Sequence, residues 1–321
     1  MSGLKVLAAD IGGTNSRFAE VEVSMLSNIR MSDPVIFPTD SESVNCFEDL
    51  LEHYLKVRPD GLTALEEYDA LGIAIAGGVD GPRGNLPNIS WDIDFSTSKP
   101  VENVFLLNDF VAQAYGYLGQ GALEALQLIR SGSRSGTGAI AIVGAGTGLG
   151  HAALEPHKGE RAVISSEAGH ASFSFHGEDE LRIEAFMMAA RGKHWLSSDD
   201  VTTGSGAALI HEALTGEKAT PAEALNESNK DSLTCKYYSR FYARACRNYC
   251  LSMYPVEALI ITGGVAAKNP HLVKSDDFID EFNDGHAYSH LLKEIPIYLN
   301  TDEAVGIKGA AIYAWQQLID P

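Results

Sequence analysis

Residues 6–16 read VLAADIGGTNS, and this stretch decides the fold. Val6 to Asp10 has the apolar composition of a buried strand, the glycine turn follows, and Arg17 to Val23 alternates apolar and polar residues as a second strand does. The stretch therefore predicts a β-hairpin with a glycine corner. Because glycine has no side chain, such a corner exposes consecutive backbone N–H groups to which an anion can bind. A plain tight turn that needs positive φ is the alternative interpretation of either hairpin alone.

The same pattern recurs in the middle of the chain. Ala139 to Val143 reads as a buried strand, Gly144–Gly150 reads GAGTGLG, and a return strand begins over His151 to Leu154. The segment is not a dinucleotide fingerprint, because the third glycine of G-x-G-x-x-G falls on Leu149, and the chain has no Walker A loop. Two glycine hairpins together favour phosphate binding, and they predict two α/β domains of related plan with a ligand cleft between them.

The other periodic segments fit this plan. Further strands are predicted at Leu71 to Ala76, Val104 to Leu107 and Ala258 to Thr262; helices are predicted at Cys46 to Val57, Asp109 to Tyr117, Glu180 to Ala190, Gly206 to Leu214, Lys236 to Met253 and Ala304 to Leu318. We expect a small domain of residues 1–119 plus 303–321 and a large domain of residues 120–302. Ser131 to Gly138 is predicted to be a flexible loop, and Thr215 to Asp231 an exposed excursion.

Composition narrows the classes of function. The chain has 321 residues, 45% of them hydrophobic and 21% charged, and its formal net charge is −19. This charge repels nucleic acid and anionic membranes, so a polyanionic ligand must be bound by local N–H donors and a divalent cation, as a metal-chelated nucleotide would be. No apolar run is long enough to span a membrane. Four cysteines without a paired motif indicate free thiols in a cytoplasmic protein.

Five motifs give a specific resemblance. DIGGTNSR, LLNDF, GAGTGLG, SEAGH and IITGGV occur in the order and at the spacing of the bacterial glucokinase family. The resemblance covers nearly the whole chain. It implies a two-domain actin-like ATPase fold of the ribonuclease H-like kind, with mixed sheets, flanking helices and an interdomain cleft. It also implies ATP-dependent phosphorylation of glucose at its 6-hydroxyl with Mg²⁺, in a homodimer.

The resemblance implies roles for the phosphate and catalytic motifs. Asp109 would be the general base for the sugar hydroxyl, although on the residues alone it fits a helix N-cap equally well. Asn108 would orient the sugar, and Asp10 would hold Mg²⁺ through water. Thr14 and Thr147 would donate hydroxyls to phosphate. The expected nucleotide contacts are Asp10, Gly12, Gly13, Thr14, Asn15, Gly146, Thr147, Gly148, Gly263 and Gly264.

The expected sugar contacts are Asn108, Asp109, Glu167, His170, Asp199 and Asn88. Glu167 and His170 of SEAGH would bond adjacent hydroxyls. Asp199 stands where the family normally has glutamate, and its shorter side chain leaves strict glucose specificity open. Trp91 is expected to pack rather than to bind.

Three other functions stay open at this stage. The first is a kinase for another hexose, such as mannose, fructose or an amino sugar. The second is a sugar-sensing regulator on the same fold that transfers no phosphate. The third is a structural actin-like filament protein, although such a protein would not need Asn108, Glu167 and His170 together.

Overall fold

The computed structural model describes residues 3–58, 65–133 and 136–320, which form two compact units. The first unit contains the described residues up to Ala125 and from Asp302 onward, and the second is Leu126–Thr301. The Gln120 N–H donates to the Leu26 carbonyl at 2.8 Å and so holds the end of the first segment to its own unit.

The first unit is built on a six-stranded sheet. Its strands are β1 Leu4–Ile11, β2 Asn15–Met25, β3 Asn28–Met31, β4 Val35–Pro38, β5 Ala70–Ile75 and β9 Val104–Asn108. A small antiparallel sheet contains β6 Gly78–Asp80, β7 Arg83–Asn85 and β8 Ile93–Asp94, and the helices are α1 Phe47–Lys56, α2 Asp109–Gly116 and α12 Val305–Ile319. The main order is β3-β2-β1-β5-β9, with β4 on β2; β3, β2 and β1 are antiparallel, and β5 and β9 run parallel to β1.

The second unit repeats this plan. Its strands are β10 Gln127–Arg130, β11 Ala139–Ala145, β12 Leu149–His157, β13 Glu160–Ser166, β14 Val256–Thr262 and β15 Ile297–Leu299. Its helices are α3 Gly177–Arg191, α4 Ser198–Thr202, α5 Gly204–Thr215, α6 Pro221–Ala224, α7 Leu233–Ser252, α8 Gly264–Lys268, α9 Pro270–Lys274, α10 Asp276–Asn283 and α11 Ser289–Leu292. The order β13-β12-β11-β14-β15 again joins three antiparallel strands to two parallel ones, and β10 extends the edge.

Alternation along β1 places helices on both faces of the first sheet. Leu7, Ala9 and Ile11 pack towards α1 in one core cluster, whereas Val6 and Ala8 pack towards α2 and α12 in another. Small residues allow the second contact to be close: a Cβ on Gly309 of α12 would collide with the Ala112 carbonyl of α2. The two helices therefore pack almost backbone to backbone.

Two segments were predicted to be loops, residues 131–138 and residues 215–231. The segment predicted as an exposed excursion over residues 215–231 is wrong in part, because it contains α6 and a 3-10 turn at Glu227–Asn229 and buries Ala224 and Leu225. A capping box of Thr220 and Glu223 starts α6, a signal that polar composition alone concealed. Of the loop predicted over residues 131–138, residues 134 and 135 lie outside the described residues. Among the helices that the structure describes, none combines the length and apolar character needed to cross a bilayer.

A buried ionic network holds the helices of the second unit together. The Arg244 guanidinium, 1% exposed, donates to Glu180 at 2.6 Å and to Glu281 at 2.8 Å, and Arg247 donates to Glu281 at 3.0 Å. Burial alone would raise the pKa of Glu281, but the hydrogen bonds and charge of Arg244 and Arg247 outweigh it and lower that pKa below its ordinary value of 4.5. The network therefore joins α3, α7 and α10 through charges that must stay paired.

We predict that Glu281→Gln lowers the free energy of unfolding by about 1.5–3 kcal/mol at neutral pH, since it weakens charge-assisted hydrogen bonds to Arg244 and Arg247. Denaturant unfolding across pH measures this. The wild-type advantage should be complete above pH 4.5 and should vanish as the pH falls through the lowered pKa of Glu281. Glu217→Gln, an exposed change of the same charge in the same unit, is the control. An equal loss in both variants would contradict the role of the network.

Candidate active site

In the first glycine hairpin, the leading glycine closes the turn and the next two N–H groups stay available. The Gly12 N–H donates to the Asn15 carbonyl at 3.0 Å, and the Thr14 carbonyl accepts from Thr39 at 3.0 Å. Within the described chain, the N–H groups of Gly13 and Thr14 have no hydrogen-bond acceptor. Thr14 and Asn15 are exposed. Two adjacent backbone donors at a strand end are suited to a phosphate oxygen.

The second hairpin has an equivalent arrangement. The Gly146 N–H donates to the Gly148 carbonyl at 2.8 Å, and the Leu149 N–H donates to Asp199 Oδ1 at 2.6 Å. Of this turn, the N–H groups of Thr147 and Gly148 have no acceptor in the part of the chain that the structure describes. A Cβ added at Gly146 would meet no atom within 4 Å, so open space lies in front of the turn.

The glycines of the two turns do not have positive φ. The interpretation of these turns as plain tight turns that need positive φ is therefore wrong. Gly12, Gly13, Gly146 and Gly148 are absent from the residues with positive φ. Glycine at these positions allows a ligand to come close to the backbone, because a side chain there would occupy space beside the N–H groups.

Asp10 is a partly buried carboxylate near the end of β1. Burial raises the pKa of Asp10 to about 6, against the opposing charge of its cross-strand partner Arg17. The first turn of α12 lies close, since a Cβ on Gly306 would be 3.3 Å from Asp10 Oδ2. Arg17 in turn pairs with Glu303 at 2.8 Å. Asp10 is thus a desolvated carboxylate whose charged form a nearby cation would favour. No cluster of three His, Cys, Asp or Glu side chains suited to a metal occurs among the described residues.

Asn108 and Asp109 join β9 to α2. Asn108 is the N-cap: its Oδ1 accepts from Phe110 N at 2.9 Å and Val111 N at 3.3 Å, and its Nδ2 donates to the Gly77 carbonyl at 3.1 Å. The N-cap interpretation of Asp109 is therefore wrong. Asp109 is the first helical residue and is partly exposed, and its Oδ1 accepts from Phe110 N at 2.9 Å. Asn108 retains one amide N–H for a ligand.

Glu167 and His170 lie together on a 3-10 turn after β13. Their side chains are 78% and 67% exposed, and His170 Nε2 is 3.6 Å from Glu167 Oε2. Gly169 between them is buried, and a Cβ there would collide with the Leu149 carbonyl. The turn therefore rests directly on β12 and presents both side chains outward.

Sequence reasoning missed His151, which lies beneath this turn. It is 3% exposed, pairs across the ladder with Ser166 and packs edge-on against Tyr249 with ring centroids 4.6 Å apart. Burial lowers the pKa of His151 to about 4, with the Leu149 backbone opposing and the charge of His170 assisting. The imidazole is therefore neutral at pH 7. Its only sequence signal was a histidine at an inward position of a predicted strand.

Asn88 lies beside the first hairpin and Gly263 beside the strand that enters the second, whereas Trp91 lies in the core. A Cβ on Gly13 would be 3.1 Å from Asn88 Cβ, so Asn88 lies against the first hairpin and is exposed. Trp91 is 9% exposed within the core, which confirms its packing role. Gly263, with φ 86°, brings β14 against Ala145, and Gly264 faces open space at the start of α8.

Known proteins are similar to this chain in sequence and in fold. A sequence model of the Glucokinase family matches residues 7–317. The glucokinase of Synechocystis sp. is 27% identical, over 98% of this chain and 99% of its own length. A glucokinase structure from an Antarctic psychrotroph has a TM-score of 0.76 at 24% identity and covers 97% of this chain and 98% of its own. A ROK family glucokinase from Streptomyces griseus, in complex with glucose and AMPPNP, has a TM-score of 0.65 at 18% identity and covers 97% and 99%.

The chain has the α/β actin-like ATPase fold that the sequence predicted, with a glycine hairpin in each unit. The chain belongs to the glucokinase family.

We predict opposite outcomes for two glycine-to-alanine changes. Gly169→Ala should lower the free energy of unfolding by about 1–3 kcal/mol, because the new methyl collides with the Leu149 carbonyl. Gly146→Ala should leave the free energy of unfolding within about 0.5 kcal/mol of wild type, because its methyl enters open space. Urea unfolding of both variants compares them. Equal stability of the two would mean that the turn at Gly169 does not rest on β12.

Proposed function

We propose that this chain transfers the γ-phosphoryl group of Mg-ATP to the 6-hydroxyl of glucose. The observation that carries the proposal is the pair of hairpins, each of which has at a strand end two adjacent backbone N–H groups without an acceptor among the described residues. Family membership supports a glucokinase, and the Streptomyces griseus relative was solved with glucose and AMPPNP. The chemistry is phosphoryl transfer, in which positioning and charge neutralisation contribute most of the rate.

Asp109 is the proposed general base. A hydroxyl is a poor nucleophile until its proton is accepted, and a placed carboxylate typically contributes about 10²–10⁴ in rate. Asp109 Oδ1 accepts from the Phe110 N–H, which orients the carboxylate at the start of α2. Asn108 beside it is fixed at three points and donates its remaining amide N–H to the sugar.

Each hairpin is proposed to supply backbone donors to phosphate groups of the nucleotide. Gly13, Thr14, Thr147 and Gly148 supply the N–H groups, and the exposed hydroxyls of Thr14 and Thr147 add further donors. Gly12, Asn15 and Gly146 form the turns that hold these groups. Gly264, which faces open space, leaves room for the adenosine, and Gly263 allows β14 to approach Ala145 beside it.

Asp10 fits a Mg²⁺ ion. Mg²⁺ prefers carboxylate oxygen, keeps several waters and relies on substrate phosphates for other ligands, so a single protein carboxylate is sufficient. When bound, the ion would neutralise charge on the phosphates that a chain of net charge −19 otherwise repels. Asp10 would hold it through water.

Glu167 and His170 are the proposed partners of adjacent sugar hydroxyls. Both are exposed on one turn and lie 3.6 Å apart, a separation suited to a vicinal pair of hydroxyls. Asn88 and Asp199 complete the proposed sugar contacts. We place the enzyme in the cytoplasm.

The proposal is tested by a coupled ADP-release assay with Mg-ATP and a panel of hexoses. Wild type should turn over glucose, and Asp109→Asn should lose about 10²–10⁴ in kcat while it still binds glucose by calorimetry. Asp80→Asn, an exposed change in the same unit, is the control. A silent wild type would favour a sugar sensor, and near wild-type turnover by Asp109→Asn would remove the base assignment.

A kinase for a different hexose is the second candidate, and the observation that favours it is Asp199. One oxygen of this short side chain already accepts a hydrogen bond from the Leu149 N–H, so fewer acceptor positions are left for hydrogen bonds to the sugar. Ratios of kcat/KM across mannose, fructose and amino sugars against glucose decide between the two.

The proposal includes a homodimer. Sedimentation equilibrium should give twice the mass of one chain, and the mass of a single chain at micromolar concentration would contradict it.

A further inference from the structure

We propose that Asp199 is a positioning residue that holds the second phosphate hairpin and couples nucleotide binding to sugar binding. This inference rests on the proposed function. It gives Asp199 a role at the nucleotide, beyond the sugar contact that its place in the family pattern implies.

The first observation is the contact of the carboxylate with the hairpin itself. Asp199 Oδ1 accepts from the Leu149 N–H at 2.6 Å, a short charge-assisted bond. The same oxygen would lie 3.2 Å from a Cβ on Gly148, so it also lies against the residue that carries a free N–H group. Asp199 thus fixes the end of the turn from which Thr147 and Gly148 present their donors.

The second observation is that α4, which carries Asp199, is firmly anchored. Ser197 and Asp200 form a capping box, and Lys193 Nζ bonds both oxygens of Asp200 at 2.7 and 2.9 Å. Asp200 is only 5% exposed. The hydrogen bonds of Lys193 and Ser197 lower its pKa against the opposing effect of burial, so this anchor stays charged. Asp199 therefore projects from a rigid base.

The third observation is that α4 touches both binding elements. At its start, Ser198 N–H donates to the Ala171 carbonyl at 3.0 Å, directly after the turn of Glu167 and His170, and Ser197 pairs with Ser172. Just after α4, the first residue of α5, Gly204, donates its N–H to the Gly146 carbonyl at 3.3 Å. The segment that contains α4 and the start of α5 thus joins the proposed sugar turn to the proposed phosphate hairpin within a single unit.

A carboxylate at this place has an electrostatic consequence. It repels a polyphosphate at the nearby amides, so a hairpin left to itself binds nucleotide weakly. A sugar hydroxyl that donates to the second oxygen of Asp199 partly neutralises that charge. Binding of the sugar should then strengthen binding of the nucleotide, and by thermodynamic linkage the reverse holds by the same factor.

Calorimetry on the full chain measures this coupling. Mg-AMPPNP is titrated into wild type with and without saturating glucose, and the ratio of the two Kd values is the coupling factor. We expect at least about fivefold in wild type and a factor within about twofold of one in Asp199→Ala. Asp199→Asn keeps an acceptor oxygen for the Leu149 N–H and should retain an intermediate factor. Asp199→Ser, too short to reach that N–H, serves if the alanine variant does not fold.

Glu217→Ala, which removes an equal charge at an exposed site of the same unit, should keep the wild-type factor. An unchanged factor in Asp199→Ala would overturn the inference, as would a variant that loses glucose binding while its Mg-AMPPNP affinity and coupling stay unchanged. Wild-type glucose turnover without any coupling would overturn the inference and leave the proposed function standing. A wild type that binds no glucose would overturn both.

Discussion

The hydrogen bond that closes each glycine turn is the constraint on which the account depends. In each hairpin one glycine donates its N–H to a carbonyl of the same turn, Gly12 to Asn15 and Gly146 to Gly148. That donor is thereby satisfied, and in the part of the chain that the structure describes the next two N–H groups have no acceptor. A buried donor without an acceptor costs about 1–3 kcal/mol, but Thr14, Thr147 and Gly148 are exposed and Gly13 is half-buried, so solvent can reach these N–H groups. Pairs of adjacent backbone N–H groups of this kind are suited to bind phosphate.

Close packing of small residues positions the candidate functional side chains at the ends of the strands. In the first unit, α12 packs against α2 with Gly309 beside the Ala112 carbonyl. Asn108 then caps α2 and bonds Gly77, so the strand end, the cap and the carboxylate of Asp109 form one rigid corner. The start of α12 also approaches Asp10 through Gly306, which desolvates that carboxylate. In the second unit, Gly169 and Gly263 play the same part against β12 and Ala145.

The sequence predicted the hairpins, most helices and the repeated plan, because apolar periodicity and glycine turns are local signals. It did not predict that Asn108, rather than Asp109, caps α2, since either side chain suits that position and only the backbone angles decide. The bond from Asp199 to Leu149 joins segments far apart in sequence, and so does the network of Arg244 with Glu180 and Glu281. His151 was missed because a single histidine on a buried strand has no motif around it. Local sequence patterns do not predict which polar groups pair across long distances in the chain.

The most direct test of the account is the response of individual backbone amides to nucleotide. Two-dimensional ¹H–¹⁵N spectra of the deuterated chain, recorded while Mg-AMPPNP is added, report each N–H group separately. The account predicts downfield proton shifts for Gly13, Thr14, Thr147 and Gly148, with smaller changes at Gly12 and Gly146, whose N–H groups are already bonded within the turns. Saturable binding that leaves those four amides unmoved would contradict it.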